Sequence, residues 1–320
     1  MRAITKKDLK IAGACVVLYA IIEALLQMNV IGSFWELNLI LIAINIIMSV
    51  SLNLINGYTG QFSLGHAGFM AIGAYVSAII TVKFHLPFLL AIIVGALGSG
   101  LLGFLIGLPT LRLNGDYLAI ATLGLGEIIR ITILNIPYVG GASGFMGIPR
   151  YTTFTIVFFA TVFTVLFIRN FINSTHGRAC ISVRENQIAA EAMGVDTTKY
   201  KVMAFTMGAA FAGVAGTLFA HYFYIAHPAS FTFMKSFDIL TIVVLGGLGS
   251  ISGSITAAVL LTFISAALAG YPEWRMIIYS LTLIVLMLYR PQGLFGNKEI
   301  SLKMFGRLMG GNKRGTTEGN

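Results

Sequence analysis

Few side chains in this sequence could do chemistry, and where they stand limits what that chemistry is. Glu127 and Arg130 lie three residues apart inside an apolar run, a spacing that puts both on one helix face where they can pair. Asn56, Gly57, Gln61, Ser63 and His66 crowd one glycine-dense stretch, and Gly246, Gly247, Ser250 and Ser252 crowd another. Ser143 belongs to a third such stretch, 139–150. Apart from Glu127 and Arg130, these groups offer hydrogen bonds and almost no fixed charge. The signatures of bond-making chemistry are missing. No Gly-Lys dipeptide occurs, so the chain has no phosphate-binding P-loop, and HExxH, CxxC and GxSxG are also absent. GGLGSISG lacks the third glycine and the preceding strand of a dinucleotide loop. The residues point to hydrogen-bonded handling of a solute, not to an enzyme or a metal or cofactor site.

The elements that must position these groups are membrane helices. The chain has 320 residues, of which 57% are hydrophobic and 10% charged, against about 25% charged in soluble domains. A span needs about 20 apolar residues, and the expected spans are 11–30, 37–56, 66–83, 87–110, 117–136, 153–170, 202–222, 237–248, 253–269 and 274–290. With the N-terminus in the cytosol, cytosolic segments hold sixteen Lys and Arg and outer segments four. The positive-inside rule then favours ten spans with both ends cytosolic. The net charge of +9 is explained by this asymmetry and calls for no nucleic acid. Three divisions follow: 1–36 as a basic segment with the first span, 37–295 as the transmembrane body, and 296–320 as a basic cytosolic tail. The first span reads as uncleaved, since no small-residue cleavage site follows Glu23. Cys15 and Cys180 fall in a span and a cytosolic loop and are not expected to pair.

Two spans carry small residues at every fourth position: Ala91, Gly95, Ser99, Gly103 and Gly107 in one, and Gly208, Ala212, Gly216 and Ala220 in the other. Such ridges let backbones approach closely and predict a compact bundle. The stretches around Asn56–His66 and Gly246–Ser254 predict re-entrant or discontinuous helices, because irregular backbone at membrane depth survives only inside protein or beside water. One such break early and one late also fits an internal repeat, the arrangement that marks binding sites in transporters. The stretches 139–150 and 224–233, on the outer side in this topology, read either as surface loops or as further breaks that contribute to a path. Glu127 and Arg130 read either as an internal pair that fixes packing or as lining of a path.

The longest cytosolic connection is 170–201. Within it Ser182 and Glu185 have capping-box spacing, and the helix they would open, 183–193, meets Gly194, suited to the left-handed turn that ends helices. Ile188, Ala192 and Val195 recur at helical spacing. This helix reads as either a brace for the bundle or a docking element for a cytosolic partner.

Five segments occur in order: NGYTGQFSLGHAGFMAIGAYVSA, LRLNGDYLAIATLGLGEIIR, GGASGFMGIPR, RENQIAAEAMGVDTTKYKVMAFTMGAAFAGVAGTL and VVLGGLGSISGSITAAVLL. Together, over roughly 40–295, the sequence resembles the permease subunits of branched-chain amino acid ABC importers, of the LivM type. The resemblance implies a bacterial or archaeal inner-membrane permease. It also implies a paralogous LivH-like permease, two cytosolic ATPase subunits that use the ATP, and an extracytoplasmic substrate-binding protein. In such importers an EAA box, Glu-Ala-Ala followed by three residues and Gly, docks into the ATPase. Here Ile188 stands in the place of the box glutamate, Ala189, Ala190 and Gly194 match, and Glu191 is nearby. The rival readings are a permease for urea or short amides, and an ion-coupled carrier using Glu127 and Arg130.

Overall fold

A computed structural model describes residues 6–28, 32–111, 113 and 115–270, with the single positions Leu281, Ile284 and Leu288. Its helices are α1 (Lys6–Gln27), α2 (Ser33–Asn53), α3 (His66–Val82), α4 (Phe88–Thr110), α5 (Asp116–Leu134), α6 (Phe154–Ile172), α7 (Thr175–Glu185), α8 (Gln187–Ala192), α9 (Thr197–Phe223), α10 (Phe233–Gly246) and α11 (Ile251–Ala267). Among the described residues six helical stretches are long and apolar enough to cross a membrane: Ser33–Tyr58, Phe88–Thr110, Asp116–Leu134, Phe154–Ile172, Thr197–Phe223 and Pro228–Gly246. The chain is an all-α polytopic membrane protein. Helices α3 and α11 have 17 residues each, about 25 Å of rise at 1.5 Å per residue, less than a full hydrocarbon core. The expected span 274–290 and the tail 296–320 lie outside the described residues, those three positions aside. The short span expected at 237–248 begins earlier, at Phe233, and a helical turn, Pro228–Phe231, leads into it.

The glycine ridges decide which helix is central. α9 packs against both α3 and α4, which also pack on each other. A Cβ at Gly103 of α4 would come 2.5 Å from Ala209 Cβ, and one at Gly95 would come 2.6 Å from Thr217 Oγ1. A side chain at Gly216 of α9 would overlap the Met70 carbonyl of α3. Backbone contact at this range is how helices gain packing energy where lipid is as apolar as the partner helix. A second group, α10, α11 and α6, packs on α2, and α2 in turn reaches α9. The large side chains in the core, Ile40, Ile44, Ile47, Met48, Leu52, Met70 and Phe205, are fully buried between these groups.

The stretches 139–150 and 224–233 meet. Phe145–Met146 (β1) and Ile225–Ala226 (β2) form a two-residue antiparallel pair, with Phe145 opposite Ala226 and Met146 opposite Ile225. Tyr75 of α3 donates its hydroxyl to the Ala226 carbonyl at 2.7 Å, which ties this small sheet to α3.

Candidate functional site: two helix breaks and the arm beneath them

The first break begins where α2 widens. Its helix continues as a π-helical turn, Leu54–Tyr58, before the chain runs irregularly to α3. The freed backbone groups are met by side chains. Asn56 accepts from the Ser63 amide through Oδ1 at 3.2 Å and donates through Nδ2 to the Ser63 carbonyl at 3.3 Å. Thr122 of α5 accepts from the Leu64 amide at 3.0 Å, and Ser236 of α10 accepts from the Ala67 amide at 3.0 Å. The start of α3 is thus capped by two other helices, which meets the requirement that buried helix ends find partners.

The second break turns between α10 and α11. Gly247 and Gly249 take φ of +109° and +85°, values that only glycine adopts readily. Ser250 then caps α11, accepting from the Gly253 amide at 3.1 Å, and its hydroxyl lies 3.3 Å from that of Ser252. Gly246 packs directly on Gly253.

The two breaks lie against each other. Asn53, at the last turn of α2, accepts from the Gly249 amide at 2.9 Å and donates to the Ser250 carbonyl at 3.0 Å and the Ser254 hydroxyl at 2.8 Å. A side chain at Gly57 would overlap the Gly249 amide. Sequence reasoning named Asn56, Gly57, Gln61, Ser63, His66, Gly246, Gly247, Ser250 and Ser252, but missed Asn53, the residue that joins the two sets. A lone amide near the end of an apolar helix was the available signal. Ser143 does not join them; it is exposed on a helical turn in the stretch 139–150.

The junction is packed and is not an open lining. Gln61, Ser63 and His66 are buried, and Gln61 Oε1, Ser63 Oγ and His66 Nδ1 have no hydrogen-bond partner. The Ser51 hydroxyl lies 3.0 Å from the Met48 carbonyl and 2.9 Å from His66 Nε2. Gln61 donates through Nε2 to the Lys201 carbonyl at 3.1 Å. Unsatisfied buried polar atoms in one short segment are costly and call for a reason. A cavity of about 540 Å³ opens elsewhere, between α4 and α9, lined by Phe104, Leu108, Val202, Met203 and Met207, with Asp196 and Lys199 at its edge.

Glu127 and Arg130 of α5 form the ion pair their spacing predicts, at 2.7 Å, with side chains about a fifth exposed. The other Glu127 oxygen accepts from the Phe233 amide at 3.0 Å and so caps α10. Glu23 stands apart on α1, accepting from Thr155 of α6 at 3.4 Å.

The connection 170–201, an arm built of α7 and α8, corrects the sequence reading. No helix opens at Ser182. α7 starts earlier, capped by Ser174, and Ser182 lies inside it, donating to the Ala179 carbonyl at 2.8 Å. Glu185 ends α7 and pairs with Arg184 rather than closing a capping box. The next helix, α8, is capped by Asn186, whose Oδ1 accepts from the Ala189 amide at 3.0 Å. Gly194 does take the expected left-handed turn, with φ +81°. The small residues also face differently: Ala190 is buried against the bundle, while Ile188 and Met193 are 79% and 84% exposed. Glu191 accepts from Thr197 and Gln187, and these bonds hold its carboxyl below the usual carboxylate range. Cys180 is buried under the arm, and burial pushes its thiol up to about 11.

Among the described residues, no group of His, Cys, Asp or Glu is placed to hold a metal ion.

A family model described as "Branched-chain amino acid transport system / permease component" matches residues 35–287. The chain is 38% identical over 296 residues to the high-affinity branched-chain amino acid transport permease LivM of Salmonella typhimurium, covering 82% of this chain and 70% of that one. It is 36% identical to the LivM of Escherichia coli over the same shares. It is 28% identical to the LivH permease of Salmonella typhimurium over 182 residues, 56% of this chain and 59% of that one. No solved structure matches.

Proposed function

The chain belongs to the family of permease components of branched-chain amino acid transport systems, and from that premise we propose that it moves leucine, isoleucine and valine inward across a bacterial or archaeal inner membrane. It works as half of a permease pair with a LivH-like paralogue, driven by two cytosolic ATPases and supplied by an extracytoplasmic binding protein. Similarity to both LivM and LivH permeases supports the pairing. Ten spans with both termini cytosolic remain the topology that the distribution of Lys and Arg favours.

The observation that carries this reading is the contact between an early and a late helix break, with a helical arm beneath them. Broken helices at membrane depth serve to line a site or a path. The unpartnered polar atoms of Gln61, Ser63 and His66 would gain bonds from a solute as the bundle changes state. The near absence of fixed charge suits a zwitterion with apolar bulk better than a strongly anionic or cationic solute.

The arm is the ATPase dock. Large apolar side chains exposed outside the membrane mark interaction sites, and Ile188 and Met193 supply them on α8 and its end. The test is to purify the complex and identify its subunits by mass spectrometry. ATPase subunits should accompany the wild type and be lost from Ile188→Glu, with the permease still in the membrane. Retention of the ATPases by that variant would remove the dock from α8.

A further inference from the structure

Arg184 joins the arm to the two breaks. It is the penultimate residue of α7, one short turn before α8, and its side chain reaches from the arm to the first break. Its Nη1 donates to the Gly57 carbonyl at 2.9 Å, inside the π-helical turn of the first break. The same nitrogen lies 2.8 Å from where a Cβ of Gly249 would sit. Gly60, with φ +72°, lets the stem in: a Cβ there would come 2.9 Å from Arg184 Cγ and 3.2 Å from its Cα. One guanidinium therefore touches both breaks at the point where they touch each other. On its other side Glu185 holds it through Nε at 3.1 Å and through Nη2. A second strand of contact runs in parallel: Gln187, the first residue of α8, accepts from Lys201 Nζ at 2.7 Å, and the Lys201 carbonyl accepts from Gln61 of the first break.

We propose that Arg184 is the positioning residue that carries movement of α8 into the two helix breaks. A π-helical turn and a glycine turn are the places where this bundle can change backbone shape with least loss of hydrogen bonding. Arg184 binds one and abuts the other. Displacing α8 pulls the guanidinium off the Gly57 carbonyl or drags that carbonyl with it. Either movement alters the contact that Asn53 maintains across the breaks. The planar guanidinium holds Glu185 and Gly57 at once in a fixed fork of donors, a geometry that a flexible ammonium reproduces only in part.

The inference rests on α8 being the ATPase dock, and the experiment separates the two. The complete complex is reconstituted in proteoliposomes with Arg184→Gln, Arg184→Lys or Ile188→Glu. Arg184→Gln should keep its ATPases at wild-type stoichiometry. Its uptake should fall by about tenfold, the scale of one hydrogen bond to a charged group, and its ATP hydrolysis should stop responding to substrate-loaded binding protein. Arg184→Lys should recover part of both. Uptake by Arg184→Gln within twofold of wild type overturns the proposal, and so does loss of its ATPases, which would make Arg184 a docking residue. Ile188→Glu reports on the dock alone, by whether ATPases remain bound. If Arg184→Gln fails to fold, hydrogen exchange on the wild-type complex decides. ATP with vanadate should change protection in α7, at 56–61 and at 247–250 together. A change confined to α7 and α8 contradicts the proposal.

Discussion

Asn53 and Gly249 are joined by a 2.9 Å hydrogen bond across 196 positions of sequence, from the amide nitrogen of a glycine turn to the side chain at the end of a membrane helix. With the two bonds from Asn53 Nδ2, it fixes how the early break lies on the late one.

Asn53→Leu should therefore be disproportionately damaging for a substitution of similar size. It strands the Gly249 amide in a buried place, at about 1–3 kcal/mol per orphaned group. The expected outcome is a lower melting temperature of the detergent-solubilised protein, larger than for Asn45→Leu, where the amide holds only Thr262 and Lys235. Equal melting temperatures for the two variants would show that Asn53 does not hold the junction.

The Glu127–Arg130 pair makes a prediction by rescue. Glu127→Gln keeps a carbonyl oxygen for the Phe233 amide but leaves Arg130 without its carboxylate. A lone arginine at membrane depth costs about 2.5–3.5 kcal/mol. The yield of folded protein, read by fluorescence size exclusion, should drop in the single variant and recover in Glu127→Gln with Arg130→Gln. No recovery in the double variant rejects a packing role for the pair. Normal folding of the single variant with loss of uptake would place Glu127 on the path.

Cys180 tests burial beneath the arm. Only a thiolate reacts with maleimide. With its thiol raised from 9.0 to about 11, Cys180 should label at pH 8 about a hundredfold more slowly than an exposed cysteine. In a Cys15→Ser background, labelling should be slow in the folded protein and fast after denaturation. Rapid labelling of the folded protein would mean that the arm opens readily.

Glu191 gives the arm a pH dependence. Its folded pKa is depressed, so its contribution is present above the unfolded carboxylate pKa of 4.5 and is lost as pH falls through the lower folded value. Hydrogen-exchange protection of α8 should be flat through neutral pH after correction for intrinsic rates, and fall only as pH drops below the unfolded value of 4.5. Thr197→Val, which removes the Thr197 bond to Glu191, should shift that fall to higher pH. An unshifted profile would show that the bond does not set it.

The spans were legible because lipid forces a simple pattern on sequence, and α2, α4, α5, α6 and α9 fall where length and apolarity put them. The four-residue ridges were legible for the same reason, since Gly95, Gly103 and Gly216 mark backbone contact wherever they point. The arm was not. Ser-x-x-Glu at 182–185 has capping-box spacing, but a serine inside a helix can bond back to its own turn, and Ser182 does so with Ala179. Asn186 caps α8 without an acidic residue three positions on, so it left no such signature. The breaks could be seen singly, yet their contact depends on Asn53 and Arg184 reaching residues 196 and 127 positions away. Nothing local records that.

Passage of branched-chain amino acids through this chain, at the expense of ATP used elsewhere in the complex, is tested by uptake competition. The permease pair, its ATPases and its binding protein are reconstituted in proteoliposomes with ATP inside, and uptake of radiolabelled leucine is measured. Isoleucine and valine should compete, lysine, glutamate and sugars should not, and collapsing the proton gradient should leave the rate unchanged. Uptake of urea with no effect of leucine, or transport that persists without ATP and stops when the proton gradient is collapsed, would contradict it.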